Sequence, residues 1–266
     1  MSLGISTYAV PWHIGIHGYP QATHPLLLHE FLDLAVECGI SLVQIGDNLP
    51  LEYKTPQELR ELRLALEDRG LSVEVGTRST RPDHLLKHLN ICRAIGANLC
   101  RTVIPYPRAV ESLQDLKLVA DQFHDHGVRL AIENHGLHTA EELTILFETL
   151  NHPAIGSCVD TINSFSLLET PQQVLGTLLP YSFNVHIKDF EIHRVHHQMG
   201  FELHGAPLGA GQLDMHQTVE MICNSGRNPT IILEQWVPFS EDVDSVVATE
   251  KNWLYQSIKF LKKFLV

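Results

Sequence analysis

The chain has 266 residues, 44% of them hydrophobic, and a formal net charge of −12 at pH 7. That length and composition suit one large domain with a sizeable core, while the acidic surplus works against a polyanionic partner such as nucleic acid. No stretch is long and apolar enough to span a bilayer, the first residues read as a strand rather than a secretion signal, and Cys38, Cys92, Cys100, Cys158 and Cys223 form no C-x-x-C pair, so a reduced, cytoplasmic protein without a membrane anchor or disulfide framework is expected.

Eight strand-like runs rich in Val, Ile and Leu follow one another: residues 3–10, 42–48, 72–78, 99–105, 129–135, 155–161, 182–190 and 230–236. Between them apolar residues recur at i, i+3, i+4 and i+7, which predicts helices over Leu26–Cys38, Pro56–Arg69, Pro82–Ile95, Val110–His126 and Ala140–Leu150. Pro56 and Pro82 fall in first turns, where a helix tolerates proline. Gly39, Gly70, Gly96 and Gly127 precede strands, as helix-ending glycines do. Asp214 reads as the N-cap of a helix beginning near Met215. Eight β-then-α units with short links predict a parallel sheet closed on itself, a single (β/α)8 TIM barrel over residues 1–266. An open doubly wound sheet would want a Gly-rich turn after the first strand, and Ala9-Val10-Pro11-Trp12-His13 is not one. The connection from Glu191 to Gln212 is long enough to predict a functional loop, a lid.

Four residues stand near the ends of strand-like runs in the second half of the chain: Glu133, Asp160, His186 and Glu234. A barrel brings such ends to one rim. Side chains alternate along a strand, so Ala131 and His135 share the side of Glu133 while Ile132 and Asn134 face the helices; Cys158 goes with Asp160, Asn184 and Lys188 with His186, and Ile232 and Trp236 with Glu234. Ionised groups over a small, largely apolar layer need a cation to pair with them. Three carboxylates and an imidazole make a mainly oxygen site for one divalent ion, Mn2+ first, then Mg2+, with Co2+ or Zn2+ tolerated.

Taken together, IENHG (132–136), CVDT (158–161), HIKD (186–189), PLGAGQLD (207–214) and LEQW (233–236) resemble, in order, segments of the xylose isomerase-like TIM-barrel superfamily of sugar isomerases, ketose 3-epimerases, hydroxypyruvate isomerase, inosose dehydratase and dehydroshikimate dehydratase. The resemblance covers essentially the whole chain and implies that Glu133, Asp160, His186 and Glu234 are metal ligands, with Glu133 and Glu234 also the catalytic acid/base pair. The chain departs from the sugar 3-epimerase pattern at Asn163, where those enzymes usually carry a substrate-binding histidine.

The chemistry this predicts is enediolate chemistry on a small sugar or sugar acid: a carbonyl and its neighbouring hydroxyl chelate the ion, and a carboxylate moves the proton between them. An isomerase or epimerase of a keto-sugar is the first expectation. A lyase, decarboxylating or dehydrating a sugar acid, is the alternative, favoured by Lys188 and Asn163. The apurinic endonuclease branch of the superfamily would need more metal ligands and a basic rim. Lys188, His135 and Trp236 are the candidate substrate-binding residues: a cationic donor, a hydrogen-bonding imidazole and a stacking surface. Tyr8, Trp12 and His13 are expected to wall the pocket, and most of His193, His196, His197 and His204 on the long loop to lie exposed. The oligomeric state, a homo-oligomer included, stays open.

Overall fold

The computed structural model describes residues 2–240 and 242–264, so the first and last residues of the expected domain lie outside the described ones. The chain runs through β1 (Leu3–Ser6), β2 (Leu42–Ile45), β3 (Ser72–Gly76), β4 (Leu99–Thr102), β5 (Arg129–Glu133), β6 (Ile155–Asp160), β7 (Ser182–Ile187), a hairpin β8 (Asp189–Arg194) and β9 (Phe201–Ala206), and β10 (Thr230–Leu233). Eight of these strands are parallel and close a barrel in which β1 joins both β2 and β10. The expected TIM barrel is therefore the fold. The strands are buried almost throughout, because helices cover their outer faces and side chains fill the barrel interior.

Around the barrel lie α1 (Pro11–Ile14), α2 (Leu28–Glu37), α3 (Pro56–Asp68), α4 (Pro82–Ile95), α5 (Leu113–Asp125), α6 (Ala140–Leu150), α7 (Pro171–Leu178), α8 (Met215–Asn224) and α9 (Val243–Leu261). Their starts are written locally. Thr55, Thr139 and Thr170 each cap a helix, the hydroxyl accepting from the amide of Glu58, Glu142 or Gln173 while the threonine's own amide donates to that residue's side-chain oxygen, which satisfies two end amides at once. Asp214 caps α8 through Gln217 N at 2.9 Å. Gly96 closes α4 at φ +80°, a conformation that strains any residue with a Cβ.

Four expectations need correction. The first strand ends at Ser6, because its hydroxyl accepts from Tyr8 N and turns Thr7–Ala9 into a 3-10 helix. The run 182–190 is two strands, broken at Lys188, and the long connection is not an irregular loop but the antiparallel hairpin β8–β9, paired from Asp189↔Ala206 to Arg194↔Phe201. The helix read from Val110 begins at Leu113, after a 3-10 turn over Ala109–Ser112.

Register fixes what meets at the C-terminal rim. Asp160 on β6 lies level with His186 on β7, His186 with Ile232 on β10, and Glu133 on β5 with Cys158 on β6. Beneath them Leu99, Ala131, Cys158 and Phe183 pack as an apolar layer.

Candidate active site

Glu133, Asp160, His186 and Glu234 converge at the C-terminal mouth, each no more than 4% exposed. His186 Nδ1 faces all three carboxylates, 3.4 Å from Glu234 Oε1, 3.8 Å from Glu133 Oε1 and 3.9 Å from Asp160 Oδ2. Asp160 is aimed by its surroundings. Asn134 bonds its backbone on both sides, donating to the carbonyl at 2.9 Å and accepting from the amide at 2.7 Å, while Oδ1 accepts from Ile162 N and Asn163 N, both at 2.9 Å. That leaves Oδ2 toward the imidazole.

Two buried cations answer these carboxylates. Arg101 Nε lies 3.1 Å from Glu133 Oε2, and Lys188 Nζ lies 2.8 Å from Asp160 Oδ2 and 2.9 Å from Glu234 Oε2. Lys188 is therefore not a rim lysine paired with Asp189 or Glu191; it stands within the carboxylate set. Asp189 instead accepts from the backbone amides of Phe190, Gly209, Gly211 and Leu213, which ties the segment after the hairpin to the barrel. Arg101 fits because β3 ends in Gly76: a Cβ there would come within 3.2 Å of its guanidinium.

Burial works against the charges on Glu133, Glu234 and Lys188, and their partners prevail. It would raise the Glu133 carboxyl, but Arg101 and His186 hold it below the ordinary value; Glu234 is lowered likewise by His186 and Lys188. Burial would lower the Lys188 ammonium, yet Asp160, Glu234 and Glu133 raise it. Apart from the imidazole, three carboxylates against two fixed cations leave one negative charge over an apolar layer.

Donor atoms of Asp160, His186 and Glu234 lie within 4.8 Å of one another, as do those of Glu133, Cys158 and His186. Glu234 Oε1 and both His186 nitrogens are buried and make no hydrogen bond to any described residue. Orphaned buried acceptors turned toward one point, with an uncompensated negative charge, fit a divalent cation. The donor set is rich in oxygen, as Mg2+ or Mn2+ prefer. Cys158 is a weaker candidate, since burial and then Glu133 push its thiol well above the ordinary range and keep it protonated.

The site opens into a cleft of about 430 Å³ lined by Tyr8, Arg78, Arg101, Glu133, His135, Asn163, Lys188, Glu234 and Trp236, among others. Of the expected substrate contacts, Lys188, His135 and Trp236 all line it, and Lys188 Nζ stands 5.0 Å from the Trp236 ring centroid. Trp236 is held against the hairpin: a Cβ on Gly205 would collide with its carbonyl. Asn163 bridges the two charge pairs, donating to Glu133 Oε1 at 2.8 Å and accepting from Lys188 Nζ at 3.4 Å. Of the expected wall residues only Tyr8 reaches the cleft. Trp12 is buried with Val237, Val243 and Val246, and His13 lines a separate groove with Leu26 and Lys251.

Sequence reasoning missed Arg101 and Arg78. The signal for Arg101 was an arginine inside the run LCRTVIP, and strand register sets it beside Gly76. Arg78 gave none beyond its place just after a strand. Its guanidinium is held by Asp47 at 2.8 Å and reaches His135 Nε2 at 3.3 Å on the cleft side.

A sequence profile of the family described as xylose isomerase-like TIM barrel matches residues 32–264. The 3-oxo-isoapionate decarboxylase of Pectobacterium atrosepticum is 31% identical over 268 residues, covering 98% of this chain and 95% of that protein. Among solved structures, the D-psicose 3-epimerase of Clostridium cellulolyticum H10 with D-tagatose superposes at a TM-score of 0.75 with 14% identity, over 100% of this chain and 99% of the other. A xylose isomerase-like TIM barrel protein of Mycobacterium smegmatis in complex with magnesium gives 0.63 and 17%, over 87% and 88%. At such identities these two structures speak for the fold alone. Among the described residues no helix is long and apolar enough to cross a membrane.

Proposed function

The chain belongs to the xylose isomerase-like TIM-barrel family, and from that premise we propose that it is a divalent-metal-dependent lyase that decarboxylates a small 3-oxo sugar acid. Glu133, Asp160, His186 and Glu234 would hold the ion, Mn2+ or Mg2+ by their chemistry. When bound, the ion supplies a Lewis acid for a substrate oxygen. One observation carries the lyase reading: an ammonium, Lys188, stands among the carboxylates, and Arg78 lines the same cleft as a cation besides Arg101, which is taken up by Glu133. A neutral keto-sugar has no use for both; a carboxylate-bearing one does. The 31% identity to a decarboxylase of a 3-oxo acid points the same way.

In this reading Arg78 and His135 bind the substrate carboxylate at the open end of the cleft, and Trp236 covers a face of the carbon chain. The bond between the carboxyl carbon and its neighbour breaks, CO2 leaves, and the electron pair is delocalised onto the 3-oxo oxygen. A proton then adds to the carbon that bore the carboxylate. Lys188 Nζ is the donor, being the one ammonium that lines the cleft among the described residues. The step needs no base to remove a C–H proton. That suits a site whose two glutamates are already engaged, Glu133 by Arg101 and Asn163, Glu234 by Lys188.

A second reading is the isomerase or epimerase, with Glu133 and Glu234 as the acid/base pair. It draws on these carboxylates flanking one imidazole. Incubation with 3-oxo sugar acids and with keto-sugars in D2O with Mn2+, read by NMR, separates the two. Release of CO2 with one deuterium on the carbon that lost it supports the lyase. Deuterium at a stereocentre of an intact skeleton overturns it in favour of the second reading.

A further inference from the structure

The hairpin β8–β9 carries a cluster of metal-binding side chains that the reaction above does not use. Pairing sets His193 opposite Glu202 and Glu191 opposite His204. Alternate residues of a strand share a face, so all four belong to one side of the hairpin. The two imidazoles stack across the strands, with centroids 5.1 Å apart and planes at 20°. Both turn Nε2 toward a single oxygen, Glu202 Oε2, at 3.8 Å from His193 and 3.1 Å from His204. Donor atoms of His193, Glu202 and His204 fall within 4.8 Å of one another.

We propose that this face is a second metal site, taking a nitrogen-preferring transition ion, Zn2+ in the first instance, through His193, His204 and Glu202, with Glu191 on the same face available as a fourth ligand. Two imidazoles and a carboxylate converging from two strands form a donor set that zinc accepts at bond lengths near 2.1 Å, reached by small side-chain rotations. The set differs in kind from that in the barrel. One is buried and dominated by oxygen; the other is exposed and led by nitrogen, and Mg2+ has little affinity for imidazole. An ion here would clamp β8 to β9, a pair whose outer residues are exposed and gain little from burial. The clamp is coupled to the cleft, since β9 passes over the Trp236 carbonyl at Gly205.

The test does not depend on the reaction catalysed. The full chain is titrated with ZnCl2 by calorimetry, alongside His193→Ala/His204→Ala, whose sites are exposed and whose metal-free melting should match wild type. The double variant should bind one equivalent fewer, and Glu202→Gln should weaken that equivalent about tenfold. Zinc should also slow proteolysis within residues 195–200 of wild type and leave the double variant unprotected. A zinc stoichiometry equal in wild type and double variant overturns the proposal, as does equal cleavage with and without zinc in wild type. Removing the barrel set with Asp160→Asn/His186→Ala must leave the hairpin equivalent in place; its loss there would also overturn it.

Discussion

Replacing Arg101 with Met removes one of two cations from a buried cluster and leaves Glu133 beneath it. The guanidinium is 2% exposed, 3.1 Å from Glu133 Oε2, and also donates to Thr77 O at 3.2 Å. Breaking a buried pair from one side costs about 3–5 kcal/mol, because the remaining charge is uncompensated. For 266 residues the unfolding entropy near the midpoint is about 0.56 kcal/mol/K, from about 2.1 cal/mol/K per residue. The metal-free variant should therefore melt about 5–9 °C below wild type. A divalent ion at the neighbouring carboxylates would take over part of the missing positive charge, so Mn2+ should raise the melting temperature of Arg101→Met by more than it raises that of wild type. Differential scanning calorimetry after EDTA treatment, then with Mn2+ restored, measures both quantities. An unshifted midpoint in the metal-free variant would refute the charge balance, and an equal Mn2+ increment in both proteins would refute its link to the ion.

Arg78→Ala should raise KM for a 3-oxo sugar acid about tenfold or more while changing kcat less, since a charge-assisted contact to the substrate contributes about 1.5–3 kcal/mol; steady-state kinetics with released CO2 as readout would contradict this if KM stayed put. Gly205→Ala forces a Cβ into the Trp236 carbonyl, and overpacking of this kind costs about 1–3 kcal/mol, so urea midpoints should fall and Trp236 fluorescence should change. Glu250 on α9 is buried, forms no ion pair with any described residue, and accepts from Trp12 N at 2.9 Å and His13 N at 3.0 Å; burial pushes its carboxyl up to about 8 despite those donors. A raised acid favours the folded state fully below its unfolded value near 4.5, and that advantage is lost as pH climbs through 8, with a slope approaching 1.4 kcal/mol per pH unit. Urea denaturation from pH 5 to 9 should show this decline. Glu250→Gln should flatten it while lowering stability at pH 5, because its NH2 would face one of the two backbone N–H groups; an unchanged pH slope in the variant would exclude Glu250 as the cause.

The barrel and its rim were legible in the sequence because both follow from short-range rules. Period-2 and period-3.6 apolar patterns, threonine capping boxes and helix-ending glycines mark where the chain must alternate. Strand parity then turns Glu133, Asp160, His186 and Lys188 inward together. The hairpin was hidden although Phe190 and Ile192 alternate with Glu191 and His193, and Phe201 and Leu203 with Glu202 and His204, because runs this short inside a long connection carry little weight and their histidines look like scattered surface residues.

Parity carries direction along one strand and says nothing of what arrives from the others. Only closure of the cylinder brought Arg101 against Glu133 from the neighbouring strand, in space left by Gly76. Only closure set Lys188 between Asp160 and Glu234 rather than beside Asp189. Residues far apart in the chain become partners at 3 Å through register between strands, and register belongs to the assembled sheet. The electrostatic character of the cleft was therefore decided by tertiary structure, while the donor set at its base was already written in the strand ends.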